Sequence, residues 1–331
     1  MTETKNPRLR HLPFRLLGTS EIHQRYLEED PDLAPFLGIR PRDAQELLRR
    51  APVNARRLVS PSDLSDCLLR YAQKHDAPAA ALDNARALSD EGAFVVITGQ
   101  QPGLFGGPLY TIHKAATTVR LAHEISALPN APKVVPVFWN HTDDHDLDEV
   151  NRAFFVNSNL DVQRLRLDLS RGGEFVRDIP MGHAMDQALA IVEDLMPRSE
   201  FRDWALSIFR PQDPDEHFGD QLARLLFALF GDQGLLVIEP RDLPPSAFEV
   251  LERWGKSTGP IRDVIGKSLD HLTDVGVANT LDPTATLMFQ RNGTRRVPLA
   301  EGRGEAARRL RREARRQGED HAVDPAGRAP P

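Results

Sequence analysis

A chain of 331 residues, 40% hydrophobic and 27% charged, holds enough apolar material for a sizeable core, which excludes full disorder, a collagen-like repeat and a disulfide-stapled miniature fold. With 42 Lys+Arg against 48 Asp+Glu the formal charge is −6, so no global basic character recruits nucleic acid or an acidic membrane. The longest apolar runs are far shorter than a bilayer span, residues 1–8 lack the apolar stretch of a secretory leader, and Cys67 has no second cysteine to pair with; these features predict a cytoplasmic protein.

Residues 1–92 read as a helical segment. Ser20 is placed to cap a helix at Glu21, Pro41-Arg42-Asp43 opens another, and Ser60-Pro61 starts a third with Leu64, Leu68 and Tyr71 on one stripe. Cys67 falls inside that stripe as a small core residue. At 93 the pattern changes. Ala93 to Thr98 is a continuous apolar run, which predicts a strand buried on both faces. A loop with four glycines follows, then a helix from about Leu109, a break at Pro129–Pro132 and a second apolar strand from Val134 to Trp139. Strand, glycine loop, helix, strand is a βαβ unit, so 93–150 forms the first half of a parallel α/β core.

Residues 151–213 read as an insertion, with short strands at Phe154–Val156 and Leu165–Leu169 and a helix around Met185 to Leu195. Trp204 and Trp254 read as core. From Asp215 the chain is helical, with Phe218, Leu222, Leu225, Leu226 and Leu229 on one stripe, and Leu235 to Glu239 is a third buried strand, so 214–275 supplies the second part of the core. The Asn292-Gly293 pair cues a hairpin in 276–300. Residues 301–331 carry eight Arg, no Lys and no aromatic residue and predict a disordered tail.

Two segments can carry chemistry. In a parallel sheet, ligands sit beyond the carboxyl ends of the strands, where a helix N-terminus offers N–H groups and glycines let the backbone approach an anion. The loop from Gly99 to Pro108 has that position. Lys114 lies about two turns into the following helix and leans back toward the loop, with Tyr110 on the same face. No Gly-Lys-Ser/Thr follows the glycines, and Gly103, Gly106 and Gly107 lack the dinucleotide spacing. After the second strand, Trp139 to Asn151 contains His141, His145 and five carboxylates. These can serve as general acid and base, hold an ammonium group, or hold a metal between His141 and His145 at i, i+4; the plain alternative is a solvated acidic helix start.

The run Thr98-Gly99-Gln100-Gln101-Pro102-Gly103-Leu104-Phe105-Gly106-Gly107-Pro108-Leu109-Tyr110-Thr111-Ile112-His113-Lys114, with Pro136-Val137-Phe138-Trp139 and Asp144-His145-Asp146, resembles the bacillithiol biosynthesis cysteine-adding enzymes. The resemblance implies an α/β fold with a Rossmann-like parallel sheet akin to nucleotidyltransferases, and a ligase joining cysteine to glucosaminyl-malate. It implies ATP or another nucleotide as cofactor and a homodimer built through a C-terminal coiled coil; no fixed metal is expected, since no further ligand motif accompanies His141 and His145. Carried over, Thr98, Gly99, Gln100, Gln101, Gly103, Gly106, Gly107 and Tyr110 line the nucleotide cradle, with Trp139 and Asp143 beside it. Lys114, Asp144, His145 and Asp146 are the catalytic candidates. The family extends well beyond the length of this chain, so the resemblance also implies a C-terminally truncated member, either active or reduced to binding a nucleotide or anion. A metal-dependent hydrolase built on His141, Asp144 and His145 is the third reading.

Overall fold

The structure, a computed structural model, describes residues 13–38, 43–51, 58–90, 92–157, 159–169, 174–196, 198–255, 258–278, 289–293 and 295–298. The chain divides into two compact units, one of residues 1–47 with 257–287, the other of 48–256 with 288–331. In the first, short helices Glu21–Leu27 and Ala34–Leu37 accompany the longer helix Thr258–Asp274. Arg25 ties this unit together, donating to Asp30 at 2.7 Å and to the Val275 carbonyl at 2.8 Å, and Phe36 stacks on His271 at 4.5 Å.

The second unit is organised by a parallel sheet. Strand β1 (Phe94–Gln100) pairs with β2 (Val134–Asn140), the register running from Phe94 opposite Val134 to Gln100 opposite Asn140. Strands β3 (Arg152–Val156) and β4 (Val162–Arg166) form an antiparallel hairpin in the insertion, and β5 (Leu236–Ile238) pairs with the far side of β2. The sheet order is β1-β2-β5. Strands β6 (Phe289–Asn292) and β7 (Arg295–Pro298) make a second hairpin.

Helix Tyr110–Ser126 packs across both β1 and β2, and helix Phe218–Phe230 packs beside it. Helix Pro61–Lys74 begins where Ser60 caps the Asp63 amide and Pro61 takes the first helical position; it buries Leu68, Tyr71 and Cys67. One core joins these residues to Val135, Val137, Phe138, Leu226 and Leu236. A second gathers Val150, Leu167, Met185 and Phe218 under the insertion.

Four sequence readings are corrected. β1 is not buried on both faces: it lies at the sheet edge among the described residues, and Val95 and Ile97 are 44% and 57% exposed, because a helix covers only one of its faces. Trp204 and Trp254 are exposed, each on the outward side of an amphipathic helix. β4 comes earlier than the alternation suggested, since Leu167 leaves the ladder to bond the Asn151 carbonyl and enter the second core. In the second hairpin Asn292 lies opposite Arg295, so Gly293, at φ +63, holds the first turn position that Asn292 was expected to take.

Candidate functional site

β1 and β2 are parallel neighbours, so the segments leaving them emerge at the same edge of the sheet. They also touch. The His141 amide donates to the Gln100 carbonyl at 3.0 Å, and the Gln101 amide nitrogen donates to the Asp144 carboxylate. The glycine loop and the acidic segment, adjacent only by inference in the sequence, therefore meet side chain to side chain.

The loop folds tightly on itself. A Cβ at Gly103 would lie 2.7 Å from the Gly107 Cα, and Gly106, at φ +85, sits against Leu225. Phe105 adopts φ +56, a costly conformation for a bulky residue, and is held there by edge-on packing of its ring against Phe155 and Phe209 at 5.5 and 5.3 Å. At Gly99 a Cβ would meet the Trp139 carbonyl at 2.8 Å, so glycine is what lets Trp139 pack across the strand. The helix begins at Tyr110, one residue later than read, and the Thr111, Ile112 and His113 amides already bond the Pro108 and Leu109 carbonyls. Those first-turn N–H groups are therefore spent. Lys114 does lean back: its ammonium reaches Gln100 Oε1 at 2.9 Å and the Gly99 carbonyl at 3.3 Å, and it lies 5.0 Å from the Tyr110 ring centre.

The acidic segment turns at Thr142–Asp143 and is not helical until Leu147, so His141 and His145 do not share a helix face. Among the described residues no group of three or more His, Cys, Asp or Glu side chains could hold a metal ion, and the hydrolase reading has no centre. The carboxylates separate by task. Asp143 pairs with Arg177 of the insertion, Asp146 caps the Leu147–Val150 turn through the Glu149 amide at 3.2 Å, and Asp148 pairs with Arg166. Asp144 receives Gln101 and lies 3.2 Å from His145 Nδ1, while the imidazole remains half-exposed.

A second cluster at this edge was not found from the sequence. Glu239, directly after β5, is 0% exposed; it accepts from Tyr71 at 2.8 Å, from Thr142 at 2.9 Å and from Arg241 at 3.0 Å. Burial pushes its carboxyl above the ordinary range, while Arg241, Tyr71 and Thr142 pull it down. Gly219 must lack a side chain here, since a Cβ would come within 2.6 Å of the Glu239 carboxylate. Nearby, burial also raises the Asp220 carboxyl, but hydrogen bonds from His217 and Lys74 outweigh it and hold the group well below the usual range. Burial lowers the His75 imidazole to about 4. The one usable signal was positional: an ionisable residue at the carboxyl end of a buried strand.

The parallel order, the crossover helix after a glycine loop and the polar residues at the strands' carboxyl ends define a Rossmann-like α/β protein. The chain belongs to the bacillithiol biosynthesis BshC family, whose N-terminal Rossmann-like domain matches residues 9–315. It is 33% identical over 202 residues to a Carboxydothermus hydrogenoformans protein named "Putative cysteine ligase BshC", covering 58% of this chain and 36% of that one. A Heliobacterium modesticaldum protein of the same name is 32% identical over 245 residues, 68% of this chain and 42% of its own length. One from Bacillus thuringiensis is 47% identical over 102 residues, 31% of this chain and 19% of the relative. The chain thus spans about two fifths of the first two relatives. No described helix is long and apolar enough to cross a membrane.

Proposed function

We propose that this chain carries part of the site of a cytoplasmic cysteine ligase, which joins cysteine to glucosaminyl-malate through an amide bond with the help of ATP or another nucleotide. The observation that supports this most is the Gln101–Asp144 hydrogen bond, which links the glycine loop to the acid that pairs with His145. The loop suits an anionic group: the Gly103–Gly107 approach leaves no room for side chains, the buried Thr111 hydroxyl near Gly107 has no partner among the described residues, and Lys114 spends two of its three N–H groups on Gly99 and Gln100. A nucleotide bound there would supply the leaving group on the cysteine carboxyl. In the bond-forming step the substrate amine attacks that carbon, a C–N bond forms, the bond to the leaving oxygen breaks, and the amine loses a proton.

His145 takes that proton on Nε2. Asp144, beside Nδ1, selects the tautomer and orients the ring, and Gln101 fixes Asp144 in turn. Lys114 faces the anionic group as a point charge. In a turnover assay with cysteine, glucosaminyl-malate and ATP, Lys114→Ala and His145→Ala each cut product formation at least about tenfold, about 1.4 kcal/mol in barrier. Unchanged turnover in both variants rejects these roles. A second reading stands beside the first, a chain that at most binds a nucleotide or anion without turnover. Calorimetry with ATP, ADP and glucosaminyl-malate on the same preparation separates the two, binding without product favouring the second.

A further inference from the structure

A cavity of about 260 Å³ lies within the second unit, between the end of helix Pro61–Lys74, helix Phe218–Phe230 and Gln212. Its corner follows from local chemistry. Asp76, at φ +49, ends the first helix: its amide bonds the Gln73 carbonyl and the Ala77 amide bonds the Ala72 carbonyl, so those two acceptors are spent. Pro78 then presses on Gly231, where a Cβ would meet its ring at 2.5 Å, and with Phe227 and Ala228 it gives the cavity an apolar wall. The rest of the lining is polar, and its hydrogen bonds are incomplete. Arg224 donates through Nε to the Ile208 carbonyl at 2.7 Å and through Nη2 to the Arg210 carbonyl at 3.3 Å and Glu216 at 2.5 Å, which leaves Nη1 unspent among the described residues. Lys74 spends one of its three N–H groups, on Asp220 at 2.8 Å. Gln212 bonds Glu216 through its backbone amide at 2.7 Å and leaves its side-chain amide unspent among the described residues. His75 lies against the Tyr71 and Phe227 rings with its side chain 8% exposed; its Nε2 has no hydrogen-bond partner among the described residues, and Asp220 stands 3.6 Å away.

The lining thus has hydrogen-bond donors to spare, but its charge points the other way. Lys74 is matched by Asp220 and Arg224 by Glu216, burial keeps His75 neutral at neutral pH, and the exposed Asp76 carboxylate has no partner among the described residues. A lone anion would meet those donors amid surplus negative charge, and a lone cation would satisfy Asp76 while the donors stayed idle. A zwitterion answers both. At about 260 Å³ the cavity falls just below the roughly 300 Å³ at which ligand pockets begin, which fits a compact molecule and not a nucleotide. We infer that this cavity binds a free α-amino acid with a compact apolar side chain: its carboxylate on Arg224 and Lys74, its ammonium on Asp76, its side chain against Pro78, Phe227 and Ala228. The site shares no residue with the Gly99–Gly107 loop or the acidic segment, and it stands whether or not the ligase reading does.

The test is calorimetry on the full chain with L-valine, beside 3-methylbutanoate, which lacks the amine, and 2-methylpropylamine, which lacks the carboxylate. Expected are saturable one-to-one binding of L-valine and at least tenfold weaker binding of each analogue. Asp76→Asn, which keeps the size and tolerates the left-handed backbone, weakens L-valine at least tenfold. In NMR spectra of the unmutated chain, L-valine shifts the His75 imidazole and the Gln212 side-chain amide and leaves His145 unmoved. No binding of L-valine, an analogue that binds as tightly, unchanged affinity in Asp76→Asn, or shifts at His145 in place of His75 and Gln212 each overturns the proposal. The spectra of the unmutated chain keep the question decidable if Asp76→Asn misfolds.

Discussion

The two ends of the sheet's carboxyl edge are built to opposite plans. At the β2–β5 end Glu239 is sealed from water and met by Tyr71, Thr142 and Arg241, with Gly219 pressed against it. At the β1 end Lys114 and His145 project into solvent from short anchors on Gln100 and Asp144. A buried charge is retained only when its partners are complete, so the first end fixes the strands' outlets. An exposed cation and imidazole add little to stability and remain available to a ligand. Both ends are polar, and only their solvation tells them apart.

That contrast can be broken most severely at Glu239. Glu239→Ala removes the nearest carboxylate from Arg241, which keeps Asp242 and Asp220 nearby, and takes the buried acceptor from the Tyr71 and Thr142 hydroxyls; it lowers stability by about 3–5 kcal/mol, read from urea unfolding. A loss under about 1 kcal/mol erases the distinction. The next effect is in pH. The His75 side chain is 8% exposed and has its imidazole lowered by burial to about 4, below its value near 6.5 when unfolded. Between those values the unfolded chain binds more protons, so stability from this group is complete above about 6.5 and is lost as pH falls toward 4, by about 2–3 kcal/mol at most. Asp220, held low by its cationic partners, contributes stability that fades only at more acidic pH, while Glu239, held high, opposes the His75 trend. In His75→Phe, unfolding midpoints measured from pH 7 to 4 should flatten; an unchanged slope assigns the acid sensitivity elsewhere. The smallest stability change falls at the open end, where Gln101→Leu costs about 1 kcal/mol or less yet lowers ligand binding or turnover at least about tenfold. Equal losses in both would make Gln101 a structural brace.

Much of this architecture was legible because apolar runs and glycines are local signals. The run from Ala93 to Thr98, the loop and helix after it, and Leu235 to Glu239 became neighbouring parts of one sheet. Glu239 was not legible as a network centre, since Tyr71 lies 168 residues away and read only as one position of an apolar stripe. Asp146 was read for its chemistry alone, although an Asp three residues before a Glu is also a helix cap, and its carboxylate does cap the turn that follows. The edge position of β1 was hidden for another reason: an apolar run reads the same whether one or both of its faces are covered.

The burial of Cys67 has a consequence for a family concerned with free thiols. The residue is 1% exposed and burial pushes the thiol up to about 11. At neutral pH only about one molecule in ten thousand carries the reactive thiolate, and disulfide exchange proceeds through that form. Disulfide exchange at this sulfur is therefore slow, and the thiol serves as core packing.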